Sequence, residues 1–186
     1  MSAFYEGTVQ HRRLAVREHA FRHRISMAGA RGLVVGLSGG IDSALVSRLC
    51  QMAMPDHVVG VILPCHGDER DETDARLTAA HFNIPVIRID LAAAYDRLIA
   101  DLKAAVTHLP PEHAPVPPTD DTDIRARVPL ANVKPRLRMT SLYYVANSLN
   151  YLVAGTGNRS ELTIGYFTKH GDGGVDILPI AGLLKS

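Results

Sequence analysis

The segment Gly32-Leu-Val-Val-Gly-Leu-Ser-Gly-Gly-Ile-Asp-Ser43 decides the fold, because it joins a short apolar run to a glycine turn and then to a helix. Residues 32–37 are almost entirely apolar, which is typical of a strand that is buried on both faces. The adjacent Gly39 and Gly40 allow a tight turn. From residue 42 to residue 54 the pattern predicts a helix that ends before Pro55. Such a strand–loop–helix unit is typical of α/β proteins.

The same alternation of apolar strands and amphipathic helices continues along the chain. Further strands are predicted at residues 57–63, 85–89 and 151–154, and helices at residues 8–29, 71–82, 91–108 and 132–149. Between residues 109 and 130 lie six of the eleven prolines, which predicts a long loop. A glycine-rich segment, residues 155–174, and an apolar stretch, residues 175–180, come last. Because apolar strands alternate with helices, we expect an α/β fold with a doubly wound parallel sheet, in a single domain over residues 1–186.

Composition and charge exclude several classes of protein. The 186 residues are 46% hydrophobic and 21% charged, which is ordinary for a globular domain and excludes intrinsic disorder. The net charge of +1 argues against a dedicated nucleic-acid-binding protein. No apolar run approaches the ~20 residues of a membrane span, and the N-terminus lacks the pattern of a secretory signal. The 2 cysteines, Cys50 and Cys65, suit neither a disulfide framework nor a zinc site, so we expect a cytoplasmic protein without membrane or nucleic-acid partners.

The loop after the first predicted strand has the chemistry of a phosphate site. Its backbone N–H groups would lie at a helix N-terminus, where anions bind favourably, and Ser38 and Ser43 would add hydroxyl donors. Asp42 would repel a phosphate unless a cation such as Mg²⁺ lay between them. The sequence is neither a Walker A loop nor a Gly-x-Gly-x-x-Gly dinucleotide motif. The alternative is a glycine turn with an N-capping serine and no ligand.

The stretch Ser38-Gly-Gly-Ile-Asp-Ser43 after a buried strand resembles the pyrophosphate loop of the N-type ATP pyrophosphatases, which cleave ATP between the α- and β-phosphates. Three later blocks are similar to those of the NAD synthetases within that group: Asn132-Val-Lys-Pro-Arg-Leu-Arg-Met139, Gly155-Thr-Gly-Asn-Arg-Ser-Glu-Leu162 and Gly165-Tyr-Phe-Thr-Lys-His-Gly-Asp-Gly-Gly-Val-Asp176. The resemblance covers nearly the whole chain. It implies a Rossmann-like fold of the adenine nucleotide α-hydrolase type. It also implies that the C-terminal part of the family domain is absent from these 186 residues.

The resemblance assigns roles to individual residues of this chain. ATP would be bound by the loop and by two later residues: Gly36, Leu37, Ser38, Gly39, Gly40, Ile41, Asp42, Ser43, Thr156 and Lys185. Deamido-NAD would be bound by Arg136, Lys169 and Asp176. Mg²⁺ would be held by the carboxylates of Asp42 and Glu161. None of these residues is expected to act as an acid, a base or a nucleophile.

The residues themselves leave some of these assignments open. Arg136 and Arg138 are two positions apart near the predicted start of a helix, so that one can face a ligand while the other pairs locally. Glu161 could equally cap a helix or lie on the surface. Tyr143 suits a position against the nicotinate ring and a core or interface position equally well.

The reaction that the resemblance implies is the ATP-dependent amidation of deamido-NAD. The nicotinate carboxylate would attack the α-phosphorus of ATP, pyrophosphate would leave, and ammonia would convert the acyl-adenylate to NAD and AMP. The implied partners are ATP, deamido-NAD, ammonia and a second copy of the chain, in a homodimer whose contact we expect at the N-terminal helix and the 132–149 helix. Two alternatives stay open: another amidating or thiolating ATP pyrophosphatase, and a truncated, non-catalytic nucleotide-binding homologue.

Overall fold

A four-stranded parallel sheet forms the centre of the fold, as the sequence predicts. The structure is a computed structural model that describes residues 21–115, 117 and 123–185. Its strands are β1 (Leu33–Gly36), β2 (Val58–Ile62), β3 (Val86–Arg88) and β4 (Leu152–Ala154). Their order in the sheet is β3-β2-β1-β4, and every neighbouring pair is parallel.

The strand order creates a switch point between β1 and β4. The chain first proceeds from β1 to β2 and β3, and then returns to the opposite side of β1 with β4. Leu33 is in register with Val58 on one side and with Leu152 on the other. An isolated parallel bridge between Ala154 and Ile177 continues the sheet beyond β4. Ligands of such sheets bind outside the C-terminal ends of the strands at the switch point, which directs attention to the loops after β1 and β4.

Helices cover the sheet, and most of the predicted helices are confirmed. They are α1 (Ile41–Ala53), α2 (Glu69–His81), α3 (Ala92–Val106), α4 (Ile124–Leu149) and α5 (Arg159–Ile164), with a 3-10 turn at Pro111–His113. Of the helix predicted at residues 8–29, residues 21–27 are helical and residues 8–20 lie outside the described part. Within the described ranges no helix is both long and apolar enough to cross a membrane.

The predicted loop over residues 109–130 is wrong at its C-terminal end, because α4 already begins at Ile124. The side chain of Asp123 caps this helix by accepting the N–H of Arg125 over 2.9 Å. Pro129 lies inside the helix, where it cannot donate to the carbonyl four residues earlier. That carbonyl belongs to the exposed Arg125, so water can take the place of the missing N–H. The proline therefore costs less here than it would on a buried face.

The core consists of two apolar layers, one on each face of the sheet. Leu33 and Val35 belong to one layer, and Val34 between them belongs to the other, as expected for alternating side chains of a strand. All three are fully buried. Burial on both faces is typical of a parallel sheet covered by helices and explains why β1 appears in the sequence as a continuous apolar run.

Candidate active site

A cavity of roughly 580 Å³ opens at the C-terminal ends of the strands. This volume lies within the ~300–1,000 Å³ that is usual for small-molecule sites. Four of the predicted ATP-binding residues line it, namely Gly36, Leu37, Ser38 and Thr156. The remaining lining comes from β2 and the chain that follows it into α2, from β3 and the chain that follows it into α3, from α4, from the end of β4 and from the loop around residues 171–175. The cavity therefore occupies the position that the switch point predicts.

Serine hydroxyls close the loop between β1 and α1. Ser38 Oγ donates to Ser43 Oγ over 3.2 Å, and Ser43 Oγ donates to the carbonyl of Gly40 over 2.8 Å. The N-cap of α1 is Gly40, and no side chain caps this helix, whereas side chains cap α2, α4 and α5. The N-capping serine of the alternative interpretation is therefore wrong. The first N–H groups of α1 have no side-chain partner among the described residues, and their partial positive charge favours an anion.

Asp42, in the first turn of α1, meets residues from the C-terminal part of the chain. The ammonium of Lys185 donates to its Oδ2 over 2.8 Å, and Asn158 Nδ2 donates to the same oxygen over 3.4 Å. The hydrogen bond to Asp42, together with the negative charges of Asp42 and Glu161, raises the pKa of Lys185 above its ordinary value. Two carboxylates therefore act on one cation at the edge of the phosphate loop.

Asp42 and Glu161 also fit a magnesium site. Glu161 uses Oε2 to accept the N–H of Asn158 over 3.1 Å, and its Oε1 accepts no hydrogen bond from the described residues. Within the described part of the chain, no group of three or more His, Cys, Asp or Glu side chains is placed to hold a metal. Mg²⁺ commonly takes only one or two carboxylates and completes its coordination with phosphate oxygens and water. A pair of carboxylates beside a phosphate loop suits that requirement.

Helix α5 positions both Glu161 and Lys185, although the glycine-rich composition of residues 155–174 concealed it from the sequence analysis. Asn158 caps α5 by accepting the N–H of Glu161 over 3.0 Å, and Glu161 accepts the N–H of Asn158 in return. Glu161 is thus a capping residue, one of the roles left open above, and the capping box orients its carboxylate. The N–H of Lys185 donates to Ser160 Oγ over 3.1 Å, which fastens the end of the chain to the same helix.

Asn158 is a site residue that the sequence analysis missed. It is 2% exposed, and it joins the cap of α5 to the carboxylate of Asp42. The signal was present in the sequence, since an asparagine followed three residues later by a glutamate is typical of a capping box.

Two of the three residues predicted to bind deamido-NAD lie close to each other. Arg136 Nε donates to the backbone carbonyl of Lys169 over 3.3 Å, and both residues are exposed. Asp176 accepts the N–H of Val153 over 2.8 Å and the hydroxyl of Tyr143 over 3.0 Å. Burial and this hydrogen bond to Asp176 raise the pKa of Tyr143 to about 12, so the phenol stays protonated and keeps donating. All three predicted residues lie outside the lining that the described residues form.

The second arginine of the pair, Arg138, lines the cavity. Both arginines lie in the middle of α4 and not near its start, because the helix begins earlier than predicted. Arg138 is half-buried, and its Nε donates to the carbonyl of Leu63 over 3.1 Å, just beyond the end of β2. Arg136, in contrast, is exposed and donates to the backbone carbonyl of Lys169. Spacing along the sequence could not decide which of the two faces the cavity.

The side of the cavity near α2 and β3 is acidic. Six lining residues of the cavity carry carboxylates, and five of them lie on this side: Asp68, Glu69, Asp71, Glu72 and Asp90, whereas Asp172 belongs to the loop around residues 171–175. Arg88 donates to Glu72 over 2.9 Å and to Asp90 over 3.1 Å. Hydrogen bonds from Arg76 and Arg88 hold the pKa of Glu72 below its ordinary value. The guanidinium of Arg88 is therefore occupied by carboxylates of the protein.

The sequence profile of the NAD synthase family matches residues 14–186. The chain belongs to the NAD synthase family. This match decides against the alternative of an amidating or thiolating ATP pyrophosphatase from another family. The family also accounts for the association of a phosphate loop with the later blocks, which the loop by itself could not explain.

Relatives with curated names agree with the family match. The NH3-dependent NAD(+) synthetase of Carboxydothermus hydrogenoformans is 51% identical over 89% of this chain and 62% of the relative. The protein of the same name from Alkaliphilus oremlandii is 44% identical over 88% of this chain and 62% of the relative. The chain thus spans 62% of the length of these two curated relatives.

Two solved structures have a fold similar to that of this chain. The NH3-dependent NAD synthetase from Campylobacter jejuni gives a TM-score of 0.76 at 30% identity and covers 93% of this chain and 67% of its own. The NMN synthetase from Francisella tularensis gives a TM-score of 0.77 at 31% identity and covers 91% of this chain and 63% of its own.

Proposed function

We propose that the protein amidates deamido-NAD with ammonia, in a reaction that converts ATP to AMP and pyrophosphate and yields NAD. The observation that carries this proposal is that Lys185 pairs with Asp42 and feels the charge of Glu161, beside the N-terminus of α1, which no side chain caps. The chain belongs to the NAD synthase family.

The reaction proceeds in two steps, adenylation of the carboxylate and amidation of the acyl-adenylate. An oxygen of the nicotinate carboxylate bonds to the α-phosphorus of ATP, the bond from that phosphorus to the bridging α–β oxygen breaks, and pyrophosphate leaves. Ammonia then attacks the acyl carbon, loses a proton, and releases AMP as the amide forms. No nucleophile of the protein is required, so the chain contributes positioning and charge neutralisation.

The loop and Lys185 supply the charge neutralisation. The first N–H groups of α1 donate to the pyrophosphate part of ATP. The hydroxyls of Ser38 and Ser43 exchange their bonds within the loop for bonds to phosphate oxygens. Lys185 exchanges its bond with Asp42 for a phosphate oxygen, while Thr156, at the cavity wall, donates to the nucleotide. Asp42 and Glu161 would hold Mg²⁺, which would supply positive charge to neutralise the pyrophosphate.

Arg136, Lys169 and Asp176 bind the second substrate in this proposal. The exposed side chains of Arg136 and Lys169 are suited to the phosphates of a dinucleotide, and the bond between Arg136 and the Lys169 carbonyl fixes their spacing. Asp176 is oriented by Tyr143, which donates to one carboxylate oxygen. Asp176 accepts hydrogen bonds from ribose hydroxyls.

The active protein is a homodimer in this proposal, and exposed apolar residues of α3 and α4 support it. Leu102, Val106 and Val128 are 46%, 37% and 42% exposed. Leu102 and Val106 line a second, strongly apolar groove with Pro129 and Leu130. Large apolar patches are rare on monomers, and α4 contains the 132–149 helix expected at the contact.

The proposal extends to the cellular setting and the domain. Cys50 and Cys65 are free, and burial raises the pKa of both thiols, which suits a reducing cytoplasm. Residues 1–186 would act as part of one catalytic domain that takes free ammonia.

The test is to incubate the purified protein with ATP, Mg²⁺, deamido-NAD and ammonium, and to measure NAD and AMP together. Equal amounts of both, dependent on the dinucleotide, are expected. A parallel reaction contains nicotinate mononucleotide in place of deamido-NAD, because one similar structure is an NMN synthetase. Turnover of the mononucleotide alone would overturn the proposal that deamido-NAD is the substrate. Absence of any AMP would favour the non-catalytic nucleotide-binding homologue.

A further inference from the structure

We infer that Arg138 binds the α-phosphoryl group of the adenine nucleotide, both in ATP and in the adenylate formed from it. This inference rests on the proposed function, because it requires an adenine nucleotide in the cavity. It assigns a ligand to the arginine that the structure brings to the cavity, in addition to the residues that the family resemblance implies.

The charges around the cavity single out Arg138. Its lining contains three cationic or titratable basic side chains among the described residues, namely His66, Arg88 and Arg138. Arg88 is paired with Glu72 and Asp90, and His66 Nε2 lies 2.8 Å from a carboxylate oxygen of a neighbouring aspartate. Arg138 has no carboxylate within salt-bridge distance in the described part of the chain. A half-buried guanidinium without a counter-charge favours binding of an anion.

The geometry leaves most of the guanidinium free to bind that anion. Arginine carries five N–H donors in a planar fork, and only Nε of Arg138 donates to a described protein group, the carbonyl of Leu63. This bond fixes the plane of the fork at the end of β2 and leaves the terminal nitrogens free. A fork that is held in this way can meet two phosphate oxygens at once.

The position of Arg138 favours the α-phosphoryl group over other anions. Ser38, at the start of the phosphate loop, lines the same cavity, and the loop accounts for the β- and γ-phosphates. The acidic side near Glu72 and Asp90 would repel phosphate, so the uncharged nucleoside suits that side. The α-phosphoryl group joins these two parts of ATP and therefore lies between them. Arg136 and Lys169, the cations assigned to the second substrate, lie outside the lining.

The experiment compares the binding of AMP and adenosine, which differ only in the phosphoryl group, by isothermal titration calorimetry. The proteins are the wild type, Arg138→Met and the control Arg97→Met, which removes an exposed arginine of α3 that pairs with Asp101. Arg138→Met should weaken AMP binding by about tenfold to a hundredfold and change adenosine binding by less than about twofold. Arg97→Met should change neither. Melting temperatures of all three proteins monitor folding.

Each outcome decides the inference. An equal loss of AMP and adenosine affinity in Arg138→Met would mean that Arg138 only pins the end of β2, and unchanged AMP affinity would exclude a phosphoryl contact. If the wild type bound neither ligand, this inference would be overturned, whereas the proposed function would still be decided separately by the joint measurement of NAD and AMP.

A measurement on the wild type covers the case in which Arg138→Met does not fold. The Nε–Hε signal of Arg138 in a ¹⁵N spectrum should shift on titration with AMP and stay in place with adenosine. The same response to both ligands would overturn the phosphoryl contact.

Discussion

Replacing Gly39 with alanine tests whether the phosphate loop depends on its close approach to α2. Gly39 has a φ of +79°, and a Cβ added there would lie 2.5 Å from the carbonyl oxygen of Asp71 and 3.1 Å from Cβ of Asp74. The first of these atoms belongs to a helix backbone, so it cannot rotate away as the end of a flexible side chain could. The loop or α2 must therefore move.

The size of the effect follows from these two contributions. A left-handed conformation costs a residue with a Cβ about 1–2 kcal/mol, and relief of the clash adds a further cost of about 1 kcal/mol. A loss of about 2–3 kcal/mol corresponds to a fall in melting temperature of about 5–10 °C for a chain of this size. A shift of about 1 Å in the loop would also misdirect the first N–H groups of α1 and weaken catalysis by about a hundredfold.

The adjacent Gly40 supplies a matched control. Its φ is −79°, and the atom nearest to an added Cβ is Ser38 Oγ at 3.5 Å, which is ordinary contact. We therefore expect Gly40→Ala to change the free energy of unfolding by less than about 1 kcal/mol. Thermal unfolding followed by circular dichroism compares the two variants, and titration with ATP and Mg²⁺ compares their nucleotide affinity. Equal melting temperatures for the two variants would refute the role assigned to the contact between Gly39 and Asp71.

Four further predictions concern the carboxylates, the cap, a tyrosine and the dimer. Asp42→Asn should abolish AMP formation while deamido-NAD binding stays measurable by calorimetry, because it removes a carboxylate proposed to hold Mg²⁺; near-normal pyrophosphate release would contradict that role. Asn158→Ala should lower the free energy of unfolding in urea by about 1–2 kcal/mol, through loss of the cap of α5, and an unchanged value would count against the capping box. Tyr143 has a pKa raised to about 12 in the folded state, so its contribution to stability is complete below pH 10 and is lost as the pH rises towards 12. Between pH 9 and pH 11 the melting temperature of Tyr143→Phe should therefore fall by less than that of the wild type, and equal falls would contradict this. Leu102→Asp should shift a homodimer to monomer in sedimentation velocity, and an unchanged mass would exclude the apolar groove from the contact.

The sheet was predictable because its strands are short, apolar and bounded by local signals. Each observed strand lies within one residue of the predicted bounds, since burial on both faces produces a continuous apolar run. The glycine turn between β1 and α1 was predictable for a similar reason, because Gly39, Gly40 and the following helix are contiguous. The start of α4 was not predictable, because Pro129, a residue type that normally predicts a loop, is tolerated on the solvent-exposed face of this helix.

The rest of the site depends on contacts between residues distant in sequence. Lys185 and Asp42 are separated by 143 positions, and Arg138 and Leu63 by 75. The resemblance assigned both Asp42 and Lys185 to ATP, and Asp42 also to the metal, but no local pattern indicated that the two side chains would pair. For the same reason, spacing could not decide which arginine of α4 faces the cavity.

Transfer of oxygen between the substrates tests the central claim, that the carboxylate is activated by adenylation at this site, most directly. Deamido-NAD labelled with ¹⁸O in both carboxylate oxygens is incubated with the protein, ATP, Mg²⁺ and ammonium, and the products are analysed by mass spectrometry. The account predicts one ¹⁸O atom in AMP, one in the amide of NAD and none in pyrophosphate. Unlabelled AMP, or label in inorganic phosphate released together with ADP, would contradict it.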